Sequence, residues 1–314
     1  MKLIRYPHLI TEDRPACIAT IGNFDGVHAG HREIIQHVIK YARQHKVSAR
    51  VITFEPLPNE YFCKKFGKPA PKRIYPLRDK ALHLQALGID EFICLNFDTA
   101  LAQMSAEDFI TEVLIKQLKV KHLIVGDDFR FGKGRTGDFA LLQSMGASLG
   151  MTVEDTNTIQ FDDERISSSR IRDALSSGNI SQATTLLGEP YRLSGRIRHG
   201  DKRGRTIGFP TLNLRLQENI VVARGVYAVK VTGLDDKTYT GVANLGTRPT
   251  VEGTELRLEA HVYAYQGDAY GKHACIELVH FIRPEQKFDN FDELFAQIKK
   301  DSLDAKQLLN TTTS

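Results

Sequence analysis

Two histidines, His28 and His31, lie where an apolar strand is expected to pass into a helix. Residues 16–21 form an apolar run typical of a buried strand, and glycines after it allow the backbone to turn sharply. Apolar residues then recur at helical spacing between positions 34 and 42. A helix N-terminus offers free backbone N–H groups and the positive end of the helix dipole, which suit an anion such as phosphate. The pattern therefore predicts a phosphate site that contains two imidazoles.

The spacing His-x-Gly-His is the signature of nucleotidyl transferases that attack the α-phosphate of ATP. Four residues alone are a weak signal, but here the longer stretch Gly-Asn-Phe-Asp-Gly-Val-His-x-Gly-His resembles the FMN adenylyltransferase module of bacterial FAD synthetases. The resemblance implies that His28 and His31 steady the α-phosphate and the leaving pyrophosphate. Gly30, which has no side chain, would let the nucleotide approach the backbone closely. The ATP-binding residues that the resemblance implies in this stretch are Gly22, Asn23, Phe24, Asp25 and Gly30.

The composition is that of a soluble protein with one or two globular domains. Of the 314 residues, 41% are hydrophobic and 25% are charged. The net charge of +4 is shared evenly between the two halves, so the basic tail typical of nucleic-acid binders is not expected. Four cysteines lie far apart without a Cys-x-x-Cys pair, which predicts reduced thiols in the cytoplasm and neither disulfides nor a zinc site. We expect no secretory signal and no membrane span.

In the first half of the chain, short apolar strands alternate with helices. Strands are expected near residues 16–21, 47–54, 91–95 and 122–125, and a helix over 77–87 ends at a glycine. This alternation predicts a parallel sheet with helices on both faces. Because ligands bind beyond the carboxyl ends of the strands in such sheets, the polar loops that follow these strands are the places to search for a site.

The loop of residues 126–138 follows one of these strands. It contains two aromatic residues, a pair of carboxylates and three cations. A flexible, solvated loop is the alternative interpretation. The family has a very similar stretch that holds nucleotide and flavin substrates, and the resemblance implies that role for Asp127, Asp128, Phe129 and Arg130.

A second candidate phosphate-binding motif begins the helix that carries Ile171 and Leu175. Hydroxyl groups at a helix start beside two arginines can clasp a triphosphate, although an ordinary serine cap with surface arginines is the alternative. The motif resembles the Ile-Ser-Ser-Thr-x-Ile-Arg signature of the same superfamily, with Ser169 in the place where Thr is common. The resemblance implies ATP binding by Ser167, Ser168, Ser169, Arg170 and Arg172.

The pattern changes after Gly188-Glu189-Pro190. Five runs rich in Val, Tyr, Leu and Thr follow, separated by turns without intervening helices, and a final helix begins behind a cap formed by Asn290 and Glu293. Short strands of this kind predict a small antiparallel barrel. The expected fold is therefore α/β first and all-β second, and the boundary is placed between residues 186 and 187.

A basic, glycine-rich stretch from residue 195 to 213 lies at the start of the second half. It could wrap a polyphosphate, or it could be a basic surface hairpin or a nucleic-acid patch. It ends in Gly-Phe-Pro-Thr-Leu-Asn, which resembles the riboflavin kinase signature Gly-Phe-Pro-Thr-Ala-Asn with Leu212 in place of Ala. The resemblance implies that Thr211 and Asn213 hold the magnesium of MgATP, since their oxygens suit a hard cation. The ATP-binding residues implied here are Gly200, Lys202, Gly204, Arg205, Gly208 and Pro210.

Three more segments, at residues 224–229, 241–250 and 258–262, resemble the same family. They imply riboflavin binding by Arg248 and Pro249, and they imply that Glu259 is the general base for the ribityl 5′-hydroxyl. A carboxylate is already ionised at pH 7 and can accept this proton. The alternative is an ion pair of Glu259 with a neighbouring arginine. The sequence departs from the family pattern at Ala264, where Asp is frequent.

The resemblance covers nearly the whole chain and is to bifunctional riboflavin kinases/FMN adenylyltransferases. It implies a Rossmann-like nucleotidyltransferase domain over residues 1–186 and a riboflavin-kinase β-barrel with a C-terminal helix over residues 187–314. The substrates would be riboflavin, FMN and ATP, and the cofactor Mg²⁺. Nucleic acid, membrane and obligate protein partners are not expected.

Two other classes of function stay open from the residues alone. An RNA-binding or tRNA-adenylating protein would show affinity that falls steeply with salt, although the balanced charge argues against it. A non-catalytic flavin carrier would bind flavin without turnover in the presence of MgATP, although the candidate metal ligands and base argue against it.

Overall fold

The structure is a computed structural model. It describes residues 1–5, 14–126, 128–156, 160–161, 164–199, 209–250 and 253–311. The chain forms two compact units, the first made of Met1–Pro71 and Lys80–Ser167 and the second of Lys72–Asp79 and Ser168–Ser314. A functional division between residues 186 and 187 stays a prediction. None of the helices in the described ranges is long and apolar enough to cross a membrane.

A six-stranded parallel sheet forms the centre of the first unit, as the alternating pattern predicts. The spatial order of its strands is β1-β4-β3-β2-β5-β6, and all neighbouring pairs are parallel. All five residues of the central strand β2 are buried, which explains its continuous apolar run. The strands are β1 (Lys2–Arg5), β2 (Cys17–Ile21), β3 (Ser48–Glu55), β4 (Glu91–Asn96), β5 (Val120–Gly126) and β6 (Thr152–Thr156).

The helices of this half of the chain follow the strands in alternation. They are α1 (Ala29–His45), α2 (Pro58–Lys65), α3 (Leu77–Leu87), α4 (Thr99–Gln103), α5 (Ala106–Asp108) and α6 (Phe139–Leu149). A π-helical segment, Phe109–Gln117, continues directly from α5, and a short 3₁₀ turn covers Lys133–Arg135. A two-stranded ribbon of β7 (Gln160–Phe161) and β8 (Glu164–Arg165) follows β6.

The second unit contains a closed antiparallel barrel of six strands in the order β10-β13-β12-β11-β14-β9. The strands are β9 (Arg192–Arg198), β10 (Leu212–Leu216), β11 (Gly225–Thr232), β12 (Tyr239–Thr250), β13 (Gly253–Val262) and β14 (His273–Pro284). Sequence analysis predicted five of them. The strand β10 was not predicted, because it begins inside the basic, glycine-rich stretch of residues 195–213. Pairing of β9 with β10 closes the barrel.

Within the described residues of the second unit, the helices that accompany the barrel are α7 (Ser168–Ser176), α8 (Ile180–Leu187) and α9 (Phe291–Thr311). The C-terminal helix α9 packs against β11 and β12, where Ala305 and Leu309 join Val226, Ala228 and Val242 in one apolar cluster. This contact covers part of the outer face of the barrel.

Candidate active sites

His28 caps the helix that it precedes. Helix α1 begins at Ala29, and the Nδ1 atom of His28 accepts a hydrogen bond from the backbone N–H of His31 at 3.4 Å. The two imidazole rings stack with centroids 3.6 Å apart and planes inclined by 19°. Because Nδ1 is an acceptor, a neutral His28 carries its proton on Nε2 and can donate it to an anion. The predicted pair of imidazoles at a helix N-terminus is thus present in the first unit.

The turn that precedes His28 contains three residues with positive φ angles. Phe24 and Val27 have φ angles of 45° and 44°, and Gly26 between them has 92°. Left-handed conformations of this kind cost residues with a side chain about 1–2 kcal/mol each. Both side chains are buried, which holds them in this conformation. Strain that is concentrated in one turn is typical of functional sites.

A side chain at position 30 would crowd the neighbouring imidazole of His28. A Cβ atom added at Gly30 would lie 3.3 Å from both Cε1 and Nδ1 of His28, so the imidazole would have to move. Gly22 has a similar relation to the ring of Phe24, also at 3.3 Å. The glycines of this motif therefore leave space for the aromatic side chains of the motif itself.

In the loop after β5, backbone hydrogen bonds join the two ends of the segment 131–137. Phe131 and Gly137 exchange backbone hydrogen bonds of 3.2 and 3.0 Å, and the buried ring of Phe131 joins the core. Arg130 is exposed and pairs with Asp138 at 3.1 Å. Of the predicted substrate-binding residues, Asp128 is exposed and Phe129 is half-buried, whereas Asp127 lies outside the described residues. This loop therefore has internal hydrogen bonds and one buried ring, whereas residues 133–136 are exposed. Its role in substrate binding stays a prediction.

Sequence analysis did not single out the aromatic cluster at the carboxyl ends of β3 and β4. The rings of Phe54 and Phe97 meet edge to face at 5.6 Å, and Phe62 lies 5.9 Å from Phe97. Phe62 and Phe66 have nearly parallel rings, and Phe66 is 65% exposed. The run of aromatic residues after a predicted strand was the available signal. An exposed aromatic surface at this edge can stack on a planar ligand.

The serine–arginine motif begins helix α7, as predicted. Ser168 is its first residue, Ile171 is buried, and the Nε atom of Arg172 donates to the carbonyl of Lys72 at 2.8 Å. Ser169 is exposed and Arg170 half-buried. Ser167 belongs to the first unit and Ser168 to the second. That this motif joins His28 and His31 in one ATP site stays a prediction.

On the barrel, three polar residues of neighbouring strands lie side by side. Asn213 of β10 pairs with Glu259 of β13, which pairs on its other side with Asn244 of β12. Directly paired residues project from the same face of a sheet. Because Leu258 and Ala260 on either side of Glu259 are fully buried, the three polar residues belong to the outer face. Asn244 lies in the segment 241–250 that resembles the family, but no role was predicted for it.

Asn213 has the chemistry expected of a metal ligand. It is 6% exposed, and its Nδ2 atom donates to the carbonyl oxygen of Thr211 at 3.3 Å and to its hydroxyl at 3.5 Å. Its Oδ1 atom is buried without a hydrogen-bond partner. A buried oxygen with unused lone pairs is costly unless something fills them. The pair Thr211 and Asn213 therefore fits a hard cation such as Mg²⁺.

Glu259 is accessible to a substrate, since its side chain is 39% exposed. Arg257 approaches it at 3.8 Å, between Nη1 and Oε1, which is beyond hydrogen-bond distance. The same guanidinium donates to Glu255 at 3.1 Å. The ion pair that we considered as the alternative role of Glu259 is therefore long, and the tighter partner of Arg257 is Glu255.

An aromatic group lies next to Glu259 on the same face. His261 is two residues further along β13, and its Nδ1 atom donates to the carbonyl of Pro210 at 2.9 Å. Phe209 lies 4.9 Å from the imidazole and 6.2 Å from the ring of Phe295 of α9. Sequence analysis did not assign these aromatic residues. They attach the Phe-Pro-Thr segment to the strand that carries the candidate base.

The binding roles of the remaining predicted residues of the second half stay predictions, and only their locations are given by the structure. Pro210 is exposed, Arg248 is half-buried, and Pro249 lies on β12. Five predicted ATP-binding residues fall outside the described part of the chain, namely Gly200, Lys202, Gly204, Arg205 and Gly208.

The two departures from the family pattern have physical explanations. Leu212 pairs with the buried Ala260 and therefore shares its interior-facing side, which agrees with a packing role. Ala264 has a φ of 59° just after β13. Asp and Asn tolerate this left-handed conformation better than Ala does, so Asp in the family suits the turn.

Comparison with known proteins identifies both halves. Residues 10–170 match the family model of FAD synthetase, and residues 187–309 match that of riboflavin kinase. The bifunctional riboflavin kinase/FMN adenylyltransferase of Escherichia coli (strain K12) is 45% identical over 99% of both chains. The protein of the same name from Haemophilus influenzae is 43% identical over 99% of this chain and 100% of its own.

A solved structure has the same overall fold. It is described as a macrolide-efflux protein from Streptococcus pneumoniae, is 29% identical, and superimposes with a TM-score of 0.79 over 96% of this chain and 97% of its own. The relatives are similar over the full length of the chain, and each half matches one family model. Both findings agree with the motifs of the first and of the second half. The chain therefore belongs to the family of bifunctional riboflavin kinases/FMN adenylyltransferases.

Proposed function

We propose that this protein phosphorylates riboflavin with ATP to give FMN and then adenylylates FMN with a second ATP to give FAD and pyrophosphate. Residues 187–314 carry the kinase, and residues 1–186 carry the adenylyltransferase. The observation that carries the proposal is the buried, unpartnered Oδ1 atom of Asn213 beside the accessible carboxylate of Glu259. A metal ligand next to a base is the arrangement that transfer of a phosphoryl group to a hydroxyl requires.

In the kinase, Glu259 accepts the proton of the 5′-hydroxyl of riboflavin, whose oxygen then attacks the γ-phosphorus of ATP. The bond from the γ-phosphorus to the β,γ-bridging oxygen breaks, and ADP leaves. Thr211 and Asn213 would hold Mg²⁺, which would neutralise charge on the phosphate oxygens. The aromatic rings of Phe209 and Phe295 supply an apolar surface for the flavin beside the base. By family resemblance, Arg248 and Pro249 contribute to riboflavin binding, and the glycine-rich segment from Gly200 to Pro210 binds ATP.

In the adenylyltransferase, the phosphate of FMN is the nucleophile and is already anionic, so that no general base is needed. His28 donates from Nε2 towards the α-phosphate, and His31 and the N-terminus of α1 stabilise the charge that develops on the leaving pyrophosphate. The exposed rings of Phe62 and Phe66 offer a stacking surface for the flavin. By resemblance, the residues that complete the site are Gly22, Asn23, Phe24, Asp25, Gly30, the 127–130 loop and the serine–arginine motif.

We place the enzyme in the cytoplasm and expect small-molecule substrates without a nucleic-acid, membrane or obligate protein partner. The support is the even charge and the far-separated cysteines, since Cys17, Cys63, Cys94 and Cys275 are all free thiols.

The test is to incubate the full chain with riboflavin and MgATP and to separate the flavins. We expect FMN and FAD to form. Glu259→Gln should lower FMN formation by roughly 100- to 10,000-fold and leave FAD formation from added FMN unchanged. His31→Ala should lower FAD formation from added FMN by a factor on the order of 100 or more and leave FMN formation unchanged.

Glu277→Gln is the matched control, because this carboxylate pairs with Arg192 at 3.1 Å and lies on a strand that is not adjacent to β13. It should retain both activities. Equal loss of both activities in either test variant would contradict the division of labour between the halves. Bound flavin without turnover would favour the flavin carrier instead.

A further inference from the structure

One backbone carbonyl in the first unit accepts two hydrogen bonds from side chains of distant segments. The carbonyl oxygen of Asn23 lies 2.7 Å from Nζ of Lys80 and 3.2 Å from the hydroxyl of Thr53. Lys80 is in α3 and is 1% exposed, and Thr53 is in β3 and is fully buried. None of the sequence motifs includes either residue.

Burial of an ammonium group needs an explanation. Lysine is almost never fully buried, because removal of its charge from water is costly unless charge and hydrogen bonds compensate. The neighbouring core positions Ala81 and Leu84 of α3 show that apolar side chains pack at this face of the helix. An apolar residue at position 80 would avoid the desolvation cost, so packing alone does not account for lysine there.

The carbonyl that Lys80 binds precedes the strained turn of the active site. Asn23 is followed by the left-handed Phe24, Gly26 and Val27, and then by His28. Strained backbone persists only where its surroundings hold it in place. A donor on the Asn23 carbonyl fixes the first peptide of this turn, just as the hydrogen bond from the His31 N–H to His28 fixes its end.

We propose that Lys80 is a positioning residue for adenylyl transfer. Its ammonium group, assisted by the Thr53 hydroxyl, holds the Asn23 carbonyl and thereby sets the direction in which the turn presents His28 and the N-terminus of α1. Lys80 acts through the backbone of Asn23. The inference rests on the proposed adenylyltransferase function of this half of the chain.

The decisive variant is Lys80→Met in the full-length protein, because methionine keeps much of the length of the side chain and removes the charge. We expect kcat for FAD formation from FMN and ATP to fall by about 10- to 100-fold, since displacement of a catalytic group by about 1 Å can cost a factor of that size. KM for FMN and ATP should change by less than about threefold. FMN formation from riboflavin should be unchanged, because the barrel carries that reaction.

A second pair of variants tests the hydroxyl on the same carbonyl. Thr53→Val keeps the shape and removes the donor, and we expect a smaller loss of kcat, on the order of fivefold for one neutral hydrogen bond. Thr53→Ser restores a hydroxyl and should recover most of the wild-type rate. A residue that served only to fill space would show no such recovery with the smaller side chain.

Arg50→Met is the matched control, because it also removes a buried cation from the first unit. Arg50 is fully buried in β3, where it bonds Glu91 at 2.7 Å and the carbonyl of Leu118, and it does not contact Asn23. Urea unfolding of both methionine variants measures the free energy of unfolding, so that a loss of stability can be distinguished from a loss of kcat. We expect Arg50→Met to retain the wild-type kcat whatever its stability. A loss of kcat that is equal in the two variants would show that Lys80 is only structural.

The outcomes distinguish this inference from the proposed function. A wild-type protein that makes no FAD overturns both. A wild-type protein that makes FAD, together with a Lys80→Met variant of unchanged kcat, overturns the role of Lys80 alone. If Lys80→Met does not fold, the threonine pair decides, because unchanged kcat in Thr53→Val would show that donors on the Asn23 carbonyl do not position the site.

Discussion

At the residue scale, His28 combines two tasks that are usually given to different side chains. Its Nδ1 atom caps α1, a task that Ser, Thr, Asp or Asn more often performs. In the proposed adenylyl transfer, its Nε2 atom is the donor to the substrate. Capping fixes the tautomer and the orientation of the ring, so that the donor is preorganised for a phosphate oxygen before the substrate binds.

The two tasks can be separated by substitution. His28→Ala should abolish FAD formation and also destabilise the protein by about 1 kcal/mol, because the cap is lost. His28→Asn should abolish FAD formation to the same degree but recover most of the stability, since Asn is a good N-cap. Flavin separation measures the activity, and urea unfolding measures the free energy of unfolding. Substantial FAD formation by His28→Asn would show that the cap, not the imidazole, is the contribution of this residue.

At the element scale, a group of polar side chains joins α1 to the edge of the sheet. Glu154 of β6 accepts from His122 of β5 at 3.2 Å and approaches His37 of α1 at 3.5 Å. The ring of Tyr41, also on α1, stacks on His122 at 4.3 Å. Burial lowers the pKa of His122 below its usual value, although Glu154 acts in the opposite direction and His37 and His45 reinforce the decrease.

This shift predicts a dependence of stability on pH. A histidine with a lowered pKa in the folded state is neutral there while the unfolded chain already takes up a proton. Above the unfolded-state pKa of about 6.5, this histidine therefore does not lower the free energy of unfolding. As the pH falls through that value towards the lower folded-state pKa, protonation of the unfolded chain decreases the free energy of unfolding. We expect the free energy of unfolding to decrease between pH 7.5 and 5.5, with a slope from this residue of at most about 1.4 kcal/mol per pH unit.

His122→Gln, which cannot titrate, should reduce that slope. Urea unfolding at several pH values measures it, and the comparison of slopes is independent of any constant loss caused by the substitution at pH 8. An identical slope in the wild type and the variant would exclude His122 as the source.

At the scale of the whole molecule, a segment from the first half of the chain completes the second unit. Within Lys72–Asp79, Ile74 and Tyr75 are fully buried. The hydroxyl of Tyr191 donates to the Ile74 carbonyl at 2.9 Å, and the rings of Tyr75 and Tyr191 stack at 5.2 Å. The second unit therefore includes residues that lie far before position 187 in the chain, and a chain that begins at residue 187 loses the contacts of this segment.

A fragment of residues 187–314 tests this distinction. It keeps Asn213 and Glu259, so we expect it to form FMN. It lacks Ile74 and Tyr75, and it also lacks α7 and nearly all of α8, which belong to the same unit. Burial of one large apolar side chain contributes about 1.5–3 kcal/mol. We therefore expect the fragment to unfold on the order of 10 °C below the second unit of the full chain, as measured by calorimetry. Equal transition temperatures would contradict the role of the segment, and a folded but inactive fragment would contradict the domain assignment.

Local features of this protein could be predicted from the sequence because they depend on neighbours along the chain. The strand before His28, the helix after it and the alternation in the first half follow from residue spacing, and the structure confirms them. The barrel was also predictable as a class, because short runs without helices leave few other arrangements. The signature motifs identified the family, since each of them is a short contiguous segment.

Only the tertiary structure decided which distant residues meet. The row of Asn213, Glu259 and Asn244 depends on the register of three strands. The strand β10 was not predicted, because a segment of five residues is too short to show a clear periodicity. The hydrogen bond of Lys80 joins residues 57 positions apart. The assignment of Lys72–Asp79 to the second unit likewise depends on contacts with residues more than a hundred positions away. Such contacts form because folding buries apolar surface and satisfies polar groups wherever the chain brings them together, and spacing along the sequence does not record them.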